Sequence, residues 1–272
     1  LRQSSPASAI SAAYERASHW FAQQGLLNEA VASALAGTAY EQASHLIEAN
    51  AILIALRGQA NTVRRWLHAL PTPLRDSRPR LHVAQAAIGM STGEFTQVEA
   101  QLQAAETLLS VVATEAPTNQ LLTIEIMAIR AVLASFIDGA NALSMIRQAL
   151  DALPEEHILR LPLTQGFAYA SCVVGELAAA EQALFALLTR LETAGEHLLG
   201  RIAVFTNLGL VRRLQGRLGQ AQQFIQSALA LANHEGHLLP MGAVFLALGE
   251  SALLLYKQNK LDEAEQTLQR FA

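Results

Sequence analysis

Four short runs in this 272-residue chain carry residue types that could do chemistry. Gly89-Met90-Ser91-Thr92-Gly93 has the Gly-x-Ser-x-Gly pattern of a hydrolase nucleophile, which requires a sharp strand-to-helix turn to expose the hydroxyl. Here it ends one helical pattern and begins another, so Ser91 is expected to be an ordinary helix residue. His234-Glu235-Gly236-His237 resembles a metal site only faintly, because metal-binding histidines on a helix lie one turn apart and Gly236 breaks the helix between these two. The single cysteine, Cys172, lies in the apolar run Tyr169 to Val174 and is expected to be a buried small residue without a base partner. Glu155 and Glu156 follow Pro154, where they are expected to cap a helix start and not to act as an acid–base pair.

A basic stretch, Arg57, Arg64, Arg65, Arg75, Arg78 and Arg80, is relieved only by Asp76. It has the charge to meet phosphates or an acidic neighbouring domain, but no interleaved aromatics to stack on bases. A solvated or domain-contacting face is the expectation. Lacking a dyad, a triad or a metal-ligand cluster, the sequence predicts a binding protein and not an enzyme.

The elements that position these residues follow from composition and period. Apolar residues make up 51%, aromatic residues 6% and charged residues 15%, against roughly 25% charged in an ordinary soluble domain. Such a chain folds. Its net charge of −4 supplies no positive field for nucleic acid or anionic membrane. One cysteine excludes an internal disulfide, and a reducing, cytoplasmic location is expected. The most apolar run, Leu121 to Ile137, is interrupted by Glu125 and Arg130, so a membrane span is not expected. The first residues lack an initiator Met and a signal pattern, and a segment of a longer chain is expected.

A glycine followed two residues later by an apolar or small residue, and five later by a small one, recurs at Gly93, Gly175 and Gly216. Asn259 repeats it and Gly139 starts a degenerate copy, so the five starts are 46, 36, 41 and 43 residues apart. A left-handed residue closes one helix and a second helix opens at once. Within the unit at Gly216, Leu218, Ala221, Phe224, Ile225, Ala228, Leu229 and Ala232 form one apolar stripe. Fifteen helices are predicted between residues 7 and 271, with breaks near Asn50, at Pro71 and Pro73, near Pro117, at Pro154 and at Gly236. Trp20 and Trp66 are expected in the core. The predicted fold is all-α: a right-handed α-α superhelix of helix pairs with a period of about forty, running as one solenoid.

Phe205, Leu208, Gly209, Gly216, Ala221, Ile225 and Ala228 fall at the large, small and turn positions of a tetratricopeptide repeat, with Arg212 where an aromatic is usual. The longer period resembles that of MalT-like, LuxR-type ATP-dependent regulators. So do Tyr14 to Val31, Ala34-Leu35-Ala36, Tyr40 to Ala43, Trp66 to Pro71 and Arg75 to Leu81, which are similar to the segment following the ATPase module in that family. The resemblance implies a linker-like segment at residues 1–78 and tetratricopeptide-like repeats at 79–272. It further implies an effector-sensing, non-catalytic region controlling separate ATPase and helix-turn-helix domains, with ATP bound only in the upstream domain. The alternative is a free-standing scaffold for peptides or protein tails.

Counting from the turn glycines as in tetratricopeptide repeats, Arg80, Gln165, Tyr169, Thr206, Arg213, Tyr256 and Lys257 are the expected groove residues. Their tyrosines, amide and cations suit a polar small molecule or a regulatory protein. Direct contact with nucleic acid or membrane is not expected.

Overall fold

The computed structural model describes residues 7–111, 117–194, 198–234 and 241–269. The run from His234 to His237 extends outside the described residues, and so does the expected break near Pro117. The described residues form helices without strands, in an all-α superhelical repeat fold built from helix pairs.

The chain divides into two compact units, residues 1–122 and 123–272. In the first, α1 (Ala7–Gln23), α2 (Leu27–Ala36) and α3 (Tyr40–Ile54) are followed by a kink and α4 (Ala60–Ala69), then α5 (Thr72–Asp76), α6 (Pro79–Thr92) and α7 (Phe95–Val111). Ile47, Val63, Trp66, Leu67 and Leu81 belong to its core. α8 (Pro117–Ile137) begins at its end and continues into the second unit. There follow α9 (Gly139–Ala152), α10 (Arg160–Val174), α11 (Leu177–Ala194), α12 (Leu198–Leu214), α13 (Leu218–His234), α14 (Met241–Lys257) and α15 (Leu261–Gln269). α10 packs on α11, α12 on α13 and α14 on α15, while α12 also meets α10, α11 and α14.

The predicted turn residues behave as their pattern requires. Gly93, Gly175, Gly216 and Asn259 all have positive φ. At Gly216, whose φ is 75°, the next amide, Arg217 N–H, donates back to the Arg212 carbonyl at 2.9 Å, the bond that seals a helix end. Glu176 to Ser171, Glu94 to Gly89 and Lys260 to Leu255 make the same bond at 2.8–2.9 Å. Gly25 and Gly58 also have positive φ, and Leu27 with Ala30, and Ala60 with Val63, stand at the same offsets. The glycine pattern therefore extends upstream of Gly93, through the segment in which no copy of it was expected.

Three expectations are corrected. Gly139 is not left-handed: it is the first residue of α9, Asp138 caps that helix by accepting from Asn141 N–H, and a Cβ at Gly139 would lie 3.2 Å from Val173. Its small size, not its backbone freedom, is what the position uses. The expected break near Asn50 is absent, because the Asn50 amide donates to the Leu46 carbonyl at 2.9 Å within α3 and the interruption comes at Gly58. The expected loop at Pro71 and Pro73 contains α5, since a proline in the first turn leaves no intrahelical donor unmet.

Of the two tryptophans, Trp66 is buried as expected but Trp20 is 55% exposed. Ser18 is fully buried, and two residues turn a helix by about 200°, so Trp20 points away from the side that α1 buries. α8 has the length and composition to cross a membrane. Half of that window is buried, with Ile126, Ala128 and Ala131 almost inaccessible and the Glu125 carboxylate fixed to His157 Nε2 at 3.1 Å. It serves as a core helix of the repeat.

Candidate functional site

Ser91 spends its hydroxyl on the Ala87 carbonyl at 2.8 Å in the last turn of α6, so the hydrolase-like pentapeptide is a helix end. Glu155 and Glu156 lie in a turn ahead of Arg160, the first residue of α10, and not in the first turn of that helix. Three of the six arginines of the basic stretch pair with carboxylates of their own unit. Arg64 Nη2 donates to Glu94 at 2.7 Å, and this hydrogen bond holds the Glu94 carboxyl below the usual carboxylate range. Arg78 reaches Glu48 at 3.1 Å and also Glu41, and Arg75 meets Asp76 at 3.1 Å. Arg57 and Arg80 have partners too.

The first helices of successive pairs in the second unit bring a different set together. On α10, Gln165, Tyr169, Cys172 and Val173 recur at helical spacing, and the Tyr169 ring lies 6.2 Å from that of Phe136 on α8. On α12, Arg213 donates from Nε and Nη2 to the two carboxylate oxygens of Glu250 on α14, at 2.8 and 3.1 Å. Cys172 feels both of these charges. Burial and the Glu250 carboxylate push its thiol up to about 11 against the opposing pull of Arg213. Along α14, Leu246, Glu250, Leu253 and Lys257 share one face, with Tyr256 exposed beside them. The result is a strip of tyrosines, exposed aliphatic side chains and one charge pair.

Of the seven expected groove residues, Tyr169, Arg213, Tyr256 and Lys257 lie on or beside this strip, and Gln165 is half-buried on the same side of α10 as Tyr169. Arg80 belongs to the first unit. Thr206 is 4% exposed and donates its hydroxyl to the Ile202 carbonyl at 2.8 Å, so it has nothing to offer a ligand. The more open side of α12 carries Asn207, Leu210 and Leu214 instead, about 40–100° round from Thr206. Glu250 carries no sequence signal that singles it out; only its pairing with Arg213 does.

The family model of the MalT-like TPR region matches residues 124–270. The chain belongs to this family. No curated protein matches the sequence. The crystal structure of the apo form of RapI is similar at 12% identity, with a TM-score of 0.50 over 96% of this chain and 75% of that one, a likeness of fold.

In this MalT-like repeat the strip offers aromatic, aliphatic and ion-pair contacts. His157 has both ring nitrogens engaged, one by Glu125 and the other by the Leu159 amide at 3.3 Å. Among the described residues no three His, Cys, Asp or Glu side chains gather to hold a metal. Cys172 stays protonated at neutral pH. At pH 8 about one thiol in a thousand is ionised, so alkylation by iodoacetamide is expected to be slow and to rise about tenfold per pH unit through pH 10. Glu250→Gln removes the negative charge that opposes ionisation and is expected to speed the reaction. Equal rates in the two proteins would separate Cys172 from the Arg213–Glu250 pair.

Proposed function

We propose that this chain is the effector-sensing and protein-interaction region of a bacterial ATP-dependent transcriptional regulator, with residues 1–78 as the segment linking it to an ATPase module. The observation that carries the reading is the strip across α8, α10, α12 and α14 within a MalT-like repeat, where aromatic and aliphatic side chains lie open around one ion pair. An effector on that strip touches several helix pairs at once. Its binding energy would therefore bias how successive pairs pack, which separate domains could read out. ATP would be held by the upstream domain.

A thermal-shift panel of sugars, amino acids, nucleotides and short peptides tests the sensor reading, because a ligand of the folded state alone raises its stability. With the ligand so found, Tyr169→Ala and Arg213→Ala are expected to weaken binding tenfold or more; unchanged affinity in both removes the strip as the site. Sequencing the reading frame on both sides tests the rest. A P-loop upstream and a helix-turn-helix downstream support the regulator, and their absence leaves a scaffold for peptides or protein tails.

A further inference from the structure

A cavity of about 390 Å³ opens at the other end of α10 from Tyr169, between the turn leading into that helix and the last turns of α11. Nine residues of helix, or about 13 Å, separate Arg160 from Tyr169, so the cavity is apart from the strip described above. Ile158, Leu161, Leu187 and Leu191 supply the apolar part of its wall, and His157 and Thr193 line it as well. Two guanidinium groups line it, and neither has a carboxylate within salt-bridge distance among the described residues. Arg160 spends Nη1 on the Leu150 and Leu153 carbonyls at 2.6 and 2.9 Å, which leaves its Nε and Nη2 donors. Arg190 spends one Nη2 donor on the Glu155 carbonyl at 3.0 Å. Glu156 also lines the cavity, so two cations face one carboxylate there.

The first unit provides a contrast. Its cavity of about 280 Å³ is also lined by two arginines, but Arg64 is matched by Glu94 and Arg75 by Asp76. Guanidinium donors in excess of carboxylate, beside apolar side chains, are what an anionic head on a hydrocarbon body requires, since the head takes charge-assisted hydrogen bonds and the body leaves water. The volume is at the small end of the range for ligand sites.

We propose that this cavity binds a small amphipathic organic anion, a carboxylate or phosphate monoester on a short apolar chain, with Arg160 and Arg190 holding the head and Leu161, Leu187 and Leu191 the tail. Titration calorimetry on the full chain with octanoate, octyl phosphate, octanol and inorganic phosphate tests it. One octanoate or octyl phosphate is expected to bind per chain, at least tenfold more tightly than octanol or inorganic phosphate, and preference between the first two identifies the head group. Arg190→Gln is expected to weaken both anions ten- to a hundredfold, Arg190→Lys to restore part of the affinity, and Tyr169→Ala to leave it unchanged. Octanol binding as well as octanoate, inorganic phosphate binding as well as octyl phosphate, or Arg190→Gln matching the unaltered protein would each overturn the site. Because Tyr169→Ala separates the cavity from the strip, failure here leaves the effector reading standing.

Discussion

Arg212→Ala is expected to destabilise the protein by about 3 kcal/mol, the low end of the cost of breaking a buried ion pair. Arg212 stands where a tetratricopeptide repeat usually has an aromatic, and it is 9% exposed. Its Nη1 and Nη2 donate to the two oxygens of Glu181 on α11 at 3.0 and 2.5 Å, and Nη1 also reaches Gln215 at 2.9 Å. Gln215 returns a hydrogen bond to Glu181 at 3.0 Å. Removing the arginine leaves the carboxylate with one neutral donor in a site that water reaches only in part. The Glu181 side chain keeps 24% exposure, which is why the low end applies. Urea unfolding measures the change. The double variant Arg212→Leu with Glu181→Leu is expected to recover much of the loss, because an apolar pair needs no counter-charge. A single variant as stable as the parent would show that the network contributes nothing.

Gly209→Val should cost a similar amount, about 3 kcal/mol, by overpacking. A Cβ at Gly209 would stand 2.6 Å from Ile225 Cδ1 and 2.7 Å from its Cγ1, distances at which α12 and α13 must move apart or Ile225 must leave its rotamer. Ile225 is 2% exposed and has little room to turn. Shortening it tests the cause: Ile225→Ala in the Gly209→Val background is expected to be less harmful than the sum of the two single changes, a coupling that thermal or urea unfolding reads directly. Strict additivity would mean that the two positions do not meet.

Both sites are half legible in the chain. Gly209, Ala221, Ile225 and Ala228 announce a close helix crossing by residue size and spacing, and the structure packs them so. Arg212 is visible only as a departure from the expected aromatic. Its partner Glu181 lies 31 residues away on another helix, and no periodicity links the two. Arg213 and Glu250, 37 residues apart, are the same case.

Helix ends and helix pairings are written locally. A positive φ favours Gly or Asn, and a close crossing excludes a large side chain, so these demands rest on single residues at Gly93, Gly175, Gly216, Asn259 and Gly209. The local signal is richer still, since Gly25 and Gly58 carry the same pattern. Which side chains remain open is settled instead by packing. Each helical step rotates a side chain by about 100°, so an assignment one residue out exchanges the accessible Asn207 for the covered Thr206. Packing also settles which charges are spent. Arg64 and Arg78 meet carboxylates 30 or more residues away along the chain, whereas among the described residues Arg160 and Arg190 have none within salt-bridge distance, because distance between helices sets that balance.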